Sequence, residues 1–346
     1  MKAVFREKYG GIENLEIGER PRPKPKRDEL LVEVRASSIN PADLYIAMGV
    51  PWLVRLVEGV GRPRKAVIGR DYAGVIAEVG NAITGFAVGD EIYGEATQTW
   101  AGFACVKAKN AYRKPVNLSF DAAACVPLAG LTALQAIKKA PNVAGKRVLV
   151  VGASGGVGTF AVQLAACMGA QVVGIASARN LEMVRGLGAA QVEDYEEPQS
   201  LKSIAPCDVV IDTVCSRNFA EVLPWLAEGG VYVVVGASIN MNSLLGRFAG
   251  PAGAYLKLML AKKHGRRLAI VTAKPNDGIA EMSGLLESGQ VKPVITKQFQ
   301  LSDAVAALAY LKEKRPGGKI SLIGGQVIRP YFRSSREWKL LLVRES

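Results

Sequence analysis

RVLVVGASGGVGTFAVQLAACMGAQVVGIA, residues 147–176, is the stretch that decides the fold of this chain. Its apolar runs at 147–151 and 171–176 predict two strands, and a helix near 156–168 is expected between them after a glycine-rich turn. Strands that are apolar throughout are typical of a parallel sheet covered by helices. Glycines and polar residues interrupt the run, so we expect a buried strand–turn–helix–strand unit and not a membrane helix.

The turn of this unit, ASGGVG at 153–158, resembles a phosphate-binding loop. Gly155 would let the backbone approach a pyrophosphate, and Gly158 would let the helix pack closely on the strand, although Ala153 replaces the first glycine of G-x-G-x-x-G. An anion would then lie on the amides at the helix N-terminus. A packing turn can look similar, but the flanking strands favour a dinucleotide site. Its predicted contacts are Ser154, Gly155, Gly156 and Val157.

The end of the second strand bears on which dinucleotide binds. Proteins that bind NAD usually place an Asp or Glu about 20 residues after the turn. This chain has Ser177-Ala178-Arg179-Asn180 there, with no acid before Glu182. A hydroxyl and a guanidinium would hold a 2′-phosphate that a carboxylate would repel. We therefore predict NADPH, with the alternative that Arg179 is only an exposed residue at a helix start.

Strand patterns on either side of this unit predict two domains. Short alternating strands at 30–39, 71–80 and 90–96 favour an antiparallel, barrel-like domain. After residue 122, predicted strands alternate with predicted helices, and a final helix (298–312) and strand (319–324) are expected to return to the first domain. The strands are placed at 147–151, 171–176, 208–213, 231–236 and 268–272, and the helices at 121–140, 156–168, 179–187, 217–228 and 276–288. The predicted fold class is α/β, with a barrel-type domain from 1–122 and 296–346 and a doubly wound parallel sheet from 123–295.

The chain is basic, with a net charge of +13 over 346 residues. Its basic residues gather at 20–27, 55–70 and 257–267 and in the tail after residue 325. Solvated loops, a phosphorylated cofactor, an acidic membrane surface and nucleic acid would each account for them. Charge alone does not choose among these interpretations.

Metal and disulfide chemistry are poorly supported by the composition. The five cysteines are scattered without a C-x-x-C pair, and His264 is the only histidine. This pattern argues against a disulfide framework and against a catalytic or structural zinc site. Together with an N-terminus that lacks an apolar signal segment, it favours a reducing, cytoplasmic setting.

Motifs along residues 1–324 occur in the order found in a known family. They are SSINPADLY (37–45), GRDYAGVIAEVG (69–80), GLTALQA (130–136), VLVVGASGGVG (148–158), GLGAAQVEDY (186–195), DVVIDTV (208–214), AKPN (273–276) and GKISLIG (318–324). The sequence resembles the zinc-free branch of the medium-chain dehydrogenases/reductases, which includes zeta-crystallin-like quinone oxidoreductases and the chloroplast-envelope quinone oxidoreductase and alkenal (oxoene) reductase group. Ser-Ile-Asn and Gly-Arg-Asp stand where zinc-dependent relatives carry Cys and Gly-His-Glu.

The resemblance implies a GroES-like first domain, a Rossmann second domain and an active-site cleft between them. It places Asn40 beside the nicotinamide, as a catalytic and a cofactor-binding residue, and Thr132 in contact with it. It implies that Tyr195 helps Ser177 and Arg179 to hold the 2′-phosphate. It also adds Gly236 and Lys319 to the cofactor-binding set. Tyr45 is expected to be either a proton donor or a packed tyrosine that lines the cleft.

The expected activity is hydride transfer from NADPH to a quinone or to the C=C bond of an α,β-unsaturated carbonyl, without a metal. The substrate would be a small hydrophobic carbonyl or quinone, and no nucleic acid is expected. The alternatives are an enoyl-thioester (enoyl-CoA) reductase, whose carrier phosphates the 55–70 run would face, and a non-catalytic NADPH-binding protein at nucleic-acid or membrane surfaces. A monomer or homodimer is expected.

The apolar segment 239–267 suggests a peripheral membrane contact, because basic residues follow it directly. A dimer contact or a cover for the cleft is the alternative.

Overall fold

Two large β-sheets organise the chain in the computed structural model, which describes residues 1–140, 142–215, 217–235, 248, 252–314 and 316–324. Gly236, most of the segment 239–251 and the tail 326–346 lie outside the described residues. The strands are β1 (Lys2–Phe5), β2 (Glu16–Glu19), β3 (Glu29–Ile39), β4 (Asp71–Val79), β5 (Glu91–Glu95), β6 (Phe103–Lys107), β7 (Tyr112–Arg113), β8 (Arg147–Val151), β9 (Gln171–Ala176), β10 (Gln191–Asp194), β11 (Cys207–Asp212), β12 (Leu226–Val235), β13 (Arg267–Val271), β14 (Ile295–Gln300) and β15 (Lys319–Ile323).

Helices flank both sheets and connect most of the parallel strands. Within the described ranges they are α1 (Pro41–Met48), α2 (Arg55–Glu58), α3 (Phe120–Ala124), α4 (Pro127–Lys139), α5 (Gly156–Cys167), α6 (Leu181–Gly186), α7 (Pro198–Lys202), α8 (Phe219–Val222), α9 (Ala252–Leu260), α10 (Ile279–Glu287) and α11 (Ala304–Lys314).

The first sheet, which we call the mixed sheet, has the order β14-β15-β3-β4-β5-β7, and β6 pairs with β3. All of its neighbours are antiparallel except β14 and β15. The antiparallel pairing of β15 with β3, with Ile320 opposite Ile39, brings the predicted strand at 319–324 back beside an early strand of the chain. Leu30, Val32 and Ile76 lie in the core on this sheet.

The second sheet is the parallel sheet, with the order β10-β9-β8-β11-β12-β13. Val148, Val150 and Val209 are fully buried on one face, and Leu149 and Val210 are buried on the other. This two-sided burial is the reason that the strands are apolar throughout. The strand order reverses between β8 and β11, which is the position where open parallel sheets bind ligands at their carboxyl ends.

Three parts of the sequence adopt structures that differ from the predicted ones. The single helix expected at 121–140 is two helices, because Pro127 begins α4 and cannot continue α3. The helix expected at 217–228 ends at Val222, since the chain from Leu226 pairs with β11. The first residues of the helix expected at 298–312 are instead the end of β14, which pairs with β15.

The helix α9 presents an apolar face to solvent. Leu258 packs into the core, whereas Leu256, Met259 and Leu260 are 52%, 52% and 76% exposed. No helix in the described part of the chain is both long and apolar enough to cross a membrane.

Candidate active site

The glycine-rich turn joins β8 to α5 as the sequence predicts. Gly152 has a φ of +75°, a left-handed conformation that favours glycine. A Cβ at Gly158 would lie 2.0 Å from the carbonyl oxygen of Gly152, so only glycine permits this close packing of helix on turn. Gly155 caps α5, and Ser154, Gly156 and Val157 are partly exposed beside it. The first amides of α5 therefore face an accessible surface, as an anion site requires.

The predicted 2′-phosphate residues meet at the carboxyl ends of β9 and β10. The amide of Tyr195 donates to the carbonyl of Ala176 (3.1 Å), which places Tyr195 beside Ser177 on the neighbouring strand. Arg179 follows Ser177 and donates from Nη2 to the carbonyl oxygen of Lys314 at 2.7 Å. Tyr195 and Arg179 are both exposed. Two segments separated in sequence, one with Ser177 and Arg179 and the other with Tyr195, thus meet at one edge of the parallel sheet.

Asn180 connects this edge to the glycine-rich turn, although it was not predicted as a site residue. Its Nδ2 donates to Ser177 Oγ (3.0 Å) and reaches Ser154 Oγ (3.4 Å). One amide therefore positions two hydroxyls that the sequence assigned to the cofactor. The only available signal was its place directly after Arg179.

Asn40 lies in a buried polar cluster centred on Asp71, the first residue of β4. Asp71 Oδ2 accepts from Ser38 Oγ (2.6 Å) and from Asn40 Nδ2 (2.9 Å), and its Oδ1 accepts from the amide of Leu128 (3.0 Å). Asp71 is fully buried, and Asn40 is nearly so. Because Leu128 lies in the first turn of α4, Asp71 links the mixed sheet to that helix. Asp71 lies in the motif GRDYAGVIAEVG (69–80) but was not predicted as a site residue.

Lys319 occupies the other side of Asn40. Its buried Nζ donates to Asn40 Oδ1 and to the carbonyl oxygen of Ile39 (3.3 Å), and it lies 3.7 Å from Asp71 Oδ2. Both ends of the Asn40 amide are therefore held by the protein. The Cδ of Lys319 lies 3.0 Å from the position that a Cβ at Gly156 would occupy. Lys319 thus brings the Asn40 cluster and the glycine-rich turn together.

Asp43 is a second buried carboxyl group and contacts this cluster through Asn40. Its Oδ2 accepts from the amide of Asn40 (2.8 Å), and its buried Oδ1 has no hydrogen-bond partner among the described residues. Burial, followed by the negative charge of Asp71, raises the pKa of Asp43 to about 7. A proton on this carboxyl is therefore held close to neutral pH.

Arg70 and Glu95 form an ion pair next to the cluster. Arg70 Nε lies 2.7 Å from Glu95 Oε1, and Nη2 contacts the same oxygen. Burial raises the pKa of Glu95, an effect that the charge of Arg70 opposes. Asn276 holds the Glu95 backbone, since its Oδ1 accepts from the Glu95 amide (2.8 Å) and its Nδ2 donates to the Glu95 carbonyl (2.9 Å). The sequence did not predict this pair.

Thr132 and Tyr45 occupy different surroundings. Thr132 lies one helical turn after Leu128 on α4, and its buried Oγ1 has no partner within the described residues. Tyr45 lies on α1, is partly exposed, and makes no side-chain hydrogen bond to another described residue. The structure does not join Tyr45 to the Asn40 cluster.

The described side chains do not fit a zinc ion. No three His, Cys, Asp or Glu side chains in those ranges are grouped so that they could hold a metal. Burial raises the pKa of Cys125 to about 12 and that of Cys105 to about 11.

A dinucleotide does fit the residues that are present. The turn offers amides at the start of α5, with Gly155 at the N-cap of the helix. The unpartnered Oγ1 of Thr132 lies on the helix that Asp71 contacts, so it offers a hydrogen-bonding group that a ligand could satisfy. These features fit a nucleotide at the switch point of the parallel sheet.

Comparisons with known proteins agree with this fold. Residues 26–165 match the model of the alcohol dehydrogenase GroES-like domain, and residues 187–322 match that of a zinc-binding dehydrogenase. A chloroplast envelope quinone oxidoreductase homolog from Arabidopsis thaliana is 32% identical over 90% of this chain and 94% of its own. The 2-methylene-furan-3-one reductase of Solanum lycopersicum is 30% identical over 92% of this chain and 78% of its own. The structure of the quinone oxidoreductase from Coxiella burnetii superposes with a TM-score of 0.80 at 27% identity, covering 93% of this chain and 99% of that one.

The fold and the relatives define an oxidoreductase that uses a nicotinamide cofactor, with a GroES-like domain beside a Rossmann sheet. Among such enzymes, the chain belongs to the medium-chain dehydrogenase/reductase family.

Proposed function

We propose that this protein is an NADPH-dependent reductase that transfers hydride, without a metal, to a quinone or to the C=C bond of an α,β-unsaturated carbonyl. The observation that carries the proposal is the contact of Lys319 with both Asn40 and the glycine-rich turn. This contact sets a polar cluster beside the expected position of the nicotinamide. The acceptor class follows from relatives named as a quinone oxidoreductase homolog and a 2-methylene-furan-3-one reductase.

The preference for NADPH rests on the edge of the parallel sheet. Ser177, Arg179 and Tyr195 supply hydroxyl groups and a cation there. A 2′-phosphate would gain charge-assisted hydrogen bonds from such a set. The ordinary 2′-hydroxyl of NADH would gain less.

When bound, the cofactor supplies the hydride, and the chain's own residues orient the partners and manage charge. Lys319 and Asp71 fix the two ends of the Asn40 amide, so the residue expected beside the nicotinamide has one orientation. Preorganised groups of this kind replace water around a developing charge at no further cost in reorganisation. Tyr45 or water would supply the proton that completes the reduction.

We also propose, from the sequence, that residues 1–122 and 296–346 form the catalytic domain and residues 123–295 the NADPH-binding domain. A cytoplasmic location and a monomer or homodimer belong to the same proposal. Some relatives are named as chloroplast or mitochondrial proteins, so measurement of the cellular location tests this part of the proposal.

An acceptor panel tests the activity. The purified protein should oxidise NADPH faster than NADH with quinones, alkenals or enones, and exhaustive chelation should leave the rate unchanged. Turnover with crotonyl-CoA but not with simple enones would replace the proposal with an enoyl-thioester reductase. Tight NADPH binding without turnover on any acceptor would indicate a non-catalytic binding protein, and activity restored only by zinc would contradict the metal-free mechanism.

A further inference from the structure

Arg70 lies in the seam between the two sheets. It directly precedes Asp71, whose Oδ1 accepts from the amide of Leu128 at the start of α4. Its ion-pair partner Glu95 is held through the backbone by Asn276, which follows the parallel sheet in the chain. Arg70 is therefore fixed between two contacts that join the mixed sheet to the elements around the parallel sheet.

The ion pair leaves part of the Arg70 guanidinium accessible. Both bonds to the carboxylate go to a single oxygen, Glu95 Oε1, from Nε and Nη2. The Arg70 side chain is 32% exposed, whereas that of Glu95 is 7% exposed. A guanidinium has five N–H donors in a fixed plane, and those on Nη1 make no hydrogen bond to any described residue. Glu95 thus orients a cation whose outer edge can bind an oxygen.

The other polar groups of the cluster are already engaged. Lys319 is buried against Asn40 and the Ile39 carbonyl, and the Asn40 amide is held at both ends. Asp43, Asp71 and Glu95 are carboxyls and would repel an anion unless protonated. Among the described residues of the cluster, Arg70 is the cation with accessible donors.

We propose that Arg70 binds the acceptor oxygen that becomes negative when hydride arrives. This inference rests on the proposed function and assigns it a specific oxygen-binding group. With an enone, hydride forms a C–H bond at the β-carbon, and the displaced π pair moves onto the carbonyl oxygen. Arg70 holds that oxygen as an enolate until a proton from water reaches the α-carbon. The two electrons of the hydride come from the nicotinamide, which is oxidised by losing them.

The geometry also assigns a substrate class. A planar guanidinium edge suits a conjugated carbonyl that can present its oxygen in the plane of the donors. Quinones and enones meet this condition, and their reduced forms carry the charge on that oxygen. A phenolate has the same charged oxygen without a reactive double bond, so 4-nitrophenolate is a suitable probe for this site.

Replacement of Arg70 tests the proposal by turnover. Arg70→Ala should lower kcat/KM for the best acceptor by about a hundredfold or more, because a preorganised donor to a developing oxyanion is lost. Added guanidinium should restore part of the rate in a saturable way, and Arg70→Lys should keep an intermediate rate. NADPH affinity should stay near the wild-type value, and the Tm of Arg70→Ala should fall, because the buried Glu95 loses its partner. The control is Arg35→Ala, which breaks an arginine–glutamate pair with Glu33 elsewhere in the mixed sheet.

Binding of 4-nitrophenolate to the NADP⁺-loaded protein, followed by its absorbance, gives a measurement that does not depend on turnover. The wild type should bind the probe, and Arg70→Ala should lose it. An active wild type with an equally active Arg70→Ala variant would overturn the role of Arg70 and leave the proposed function standing. Another outcome is a loss of activity in Arg70→Ala and Arg70→Lys without rescue by guanidinium, and with weaker NADPH binding. That result would show that the Arg70–Glu95 pair has only a structural role. A wild type inactive on every acceptor would overturn both proposals.

Discussion

Two sets of residues surround the candidate site: Ser177 and Arg179 at the carboxyl end of β9, and Asp71 and Glu95 in the buried polar region. Ser177 and Arg179 follow a strand at a fixed distance from the glycine-rich turn, so their place could be predicted from spacing. Asp71 and Glu95 carry no such spacing. Their roles come from hydrogen bonds to groups distant in sequence, such as the Leu128 amide and Arg70.

Arg179→Ala tests the predicted 2′-phosphate contact. The variant should bind NADPH more weakly by about 1.5–3 kcal/mol, an order of magnitude or more in Kd, and should bind NADH almost as before. Only the phosphorylated cofactor loses a charge-assisted contact. Titration of both cofactors by fluorescence measures the difference.

Arg185→Ala is the matched control, because Arg185 pairs with Glu182 on the exposed side of α6. It should leave both affinities unchanged. Equal weakening of NADPH and NADH by Arg179→Ala would contradict the assignment.

Asp43→Asn tests the buried carboxyl through the pH dependence of stability. The folded-state pKa of Asp43 is raised from 3.8 to about 7, so protonated Asp43 stabilises the fold at low pH. That contribution is lost as the pH rises from about 4 through 7. Asparagine mimics the protonated form, so the variant should lose less stability over this range. At pH 8 the gain over the wild type should be at most about 4 kcal/mol.

Thermal unfolding at intervals between about pH 5 and pH 8 measures this difference. Asp28→Asn, a change at an exposed carboxylate, should follow the wild type. Parallel Tm curves for Asp43→Asn and the wild type would show that Asp43 does not titrate in this range.

Whole elements were predictable where the hydrophobic pattern was continuous. The bounds of β8 and β9 match the apolar runs at 147–151 and 171–176, because strands buried on both faces admit little else. The hydrophobic pattern did not predict where β12 starts or where β14 ends. Each is set by pairing with a neighbouring strand, β11 and β15 respectively, and pairing overrides local preference.

We predict that the exposed apolar face of α9 contacts anionic membranes. Leu256, Met259 and Leu260 face solvent just before a basic run. Apolar side chains in the bilayer interface beside cations at acidic headgroups make a reversible anchor. The protein should float with anionic liposomes at low salt and detach as salt rises. Leu260→Ser should weaken this binding.

Two charge variants test whether liposome binding depends on the basic run after α9 or only on the net positive charge of the chain. The first replaces the basic run after α9 with alanine, at Lys262, Lys263, Arg266 and Arg267. The control replaces the same number of basic residues in the 20–27 segment, at Arg22, Lys24, Lys26 and Arg27. Only the first should lose flotation. A wild type that stays unbound with anionic liposomes at low salt would make α9 a packing or dimer surface.

In the whole molecule, hydrogen bonds connect the elements of the two sheets at both ends of the candidate site. On the cofactor side, the amide of Gly318 donates to the carbonyl of Ser154 (2.7 Å), and Arg179 reaches Lys314. On the opposite side, Tyr93 Oη and Ser283 Oγ lie 2.7 Å apart, near the contact of Asn276 with Glu95. Because the glycine-rich turn is bonded to the strand that carries Lys319, a shift between the sheets would disturb both the turn and Asn40.

The sequence by itself determined the class of this molecule: its parallel sheet, its glycine-rich turn, the return of its last strand, and the family to which it belongs. These follow from periodicity, glycine placement and motif order, which are local properties of the chain. Only the tertiary structure decided how Asn40, Asp71, Lys319 and the Arg70–Glu95 pair come together. A buried ion pair or hydrogen bond depends on distance and burial, and residues about 280 positions apart acquire both only when the sheets pack.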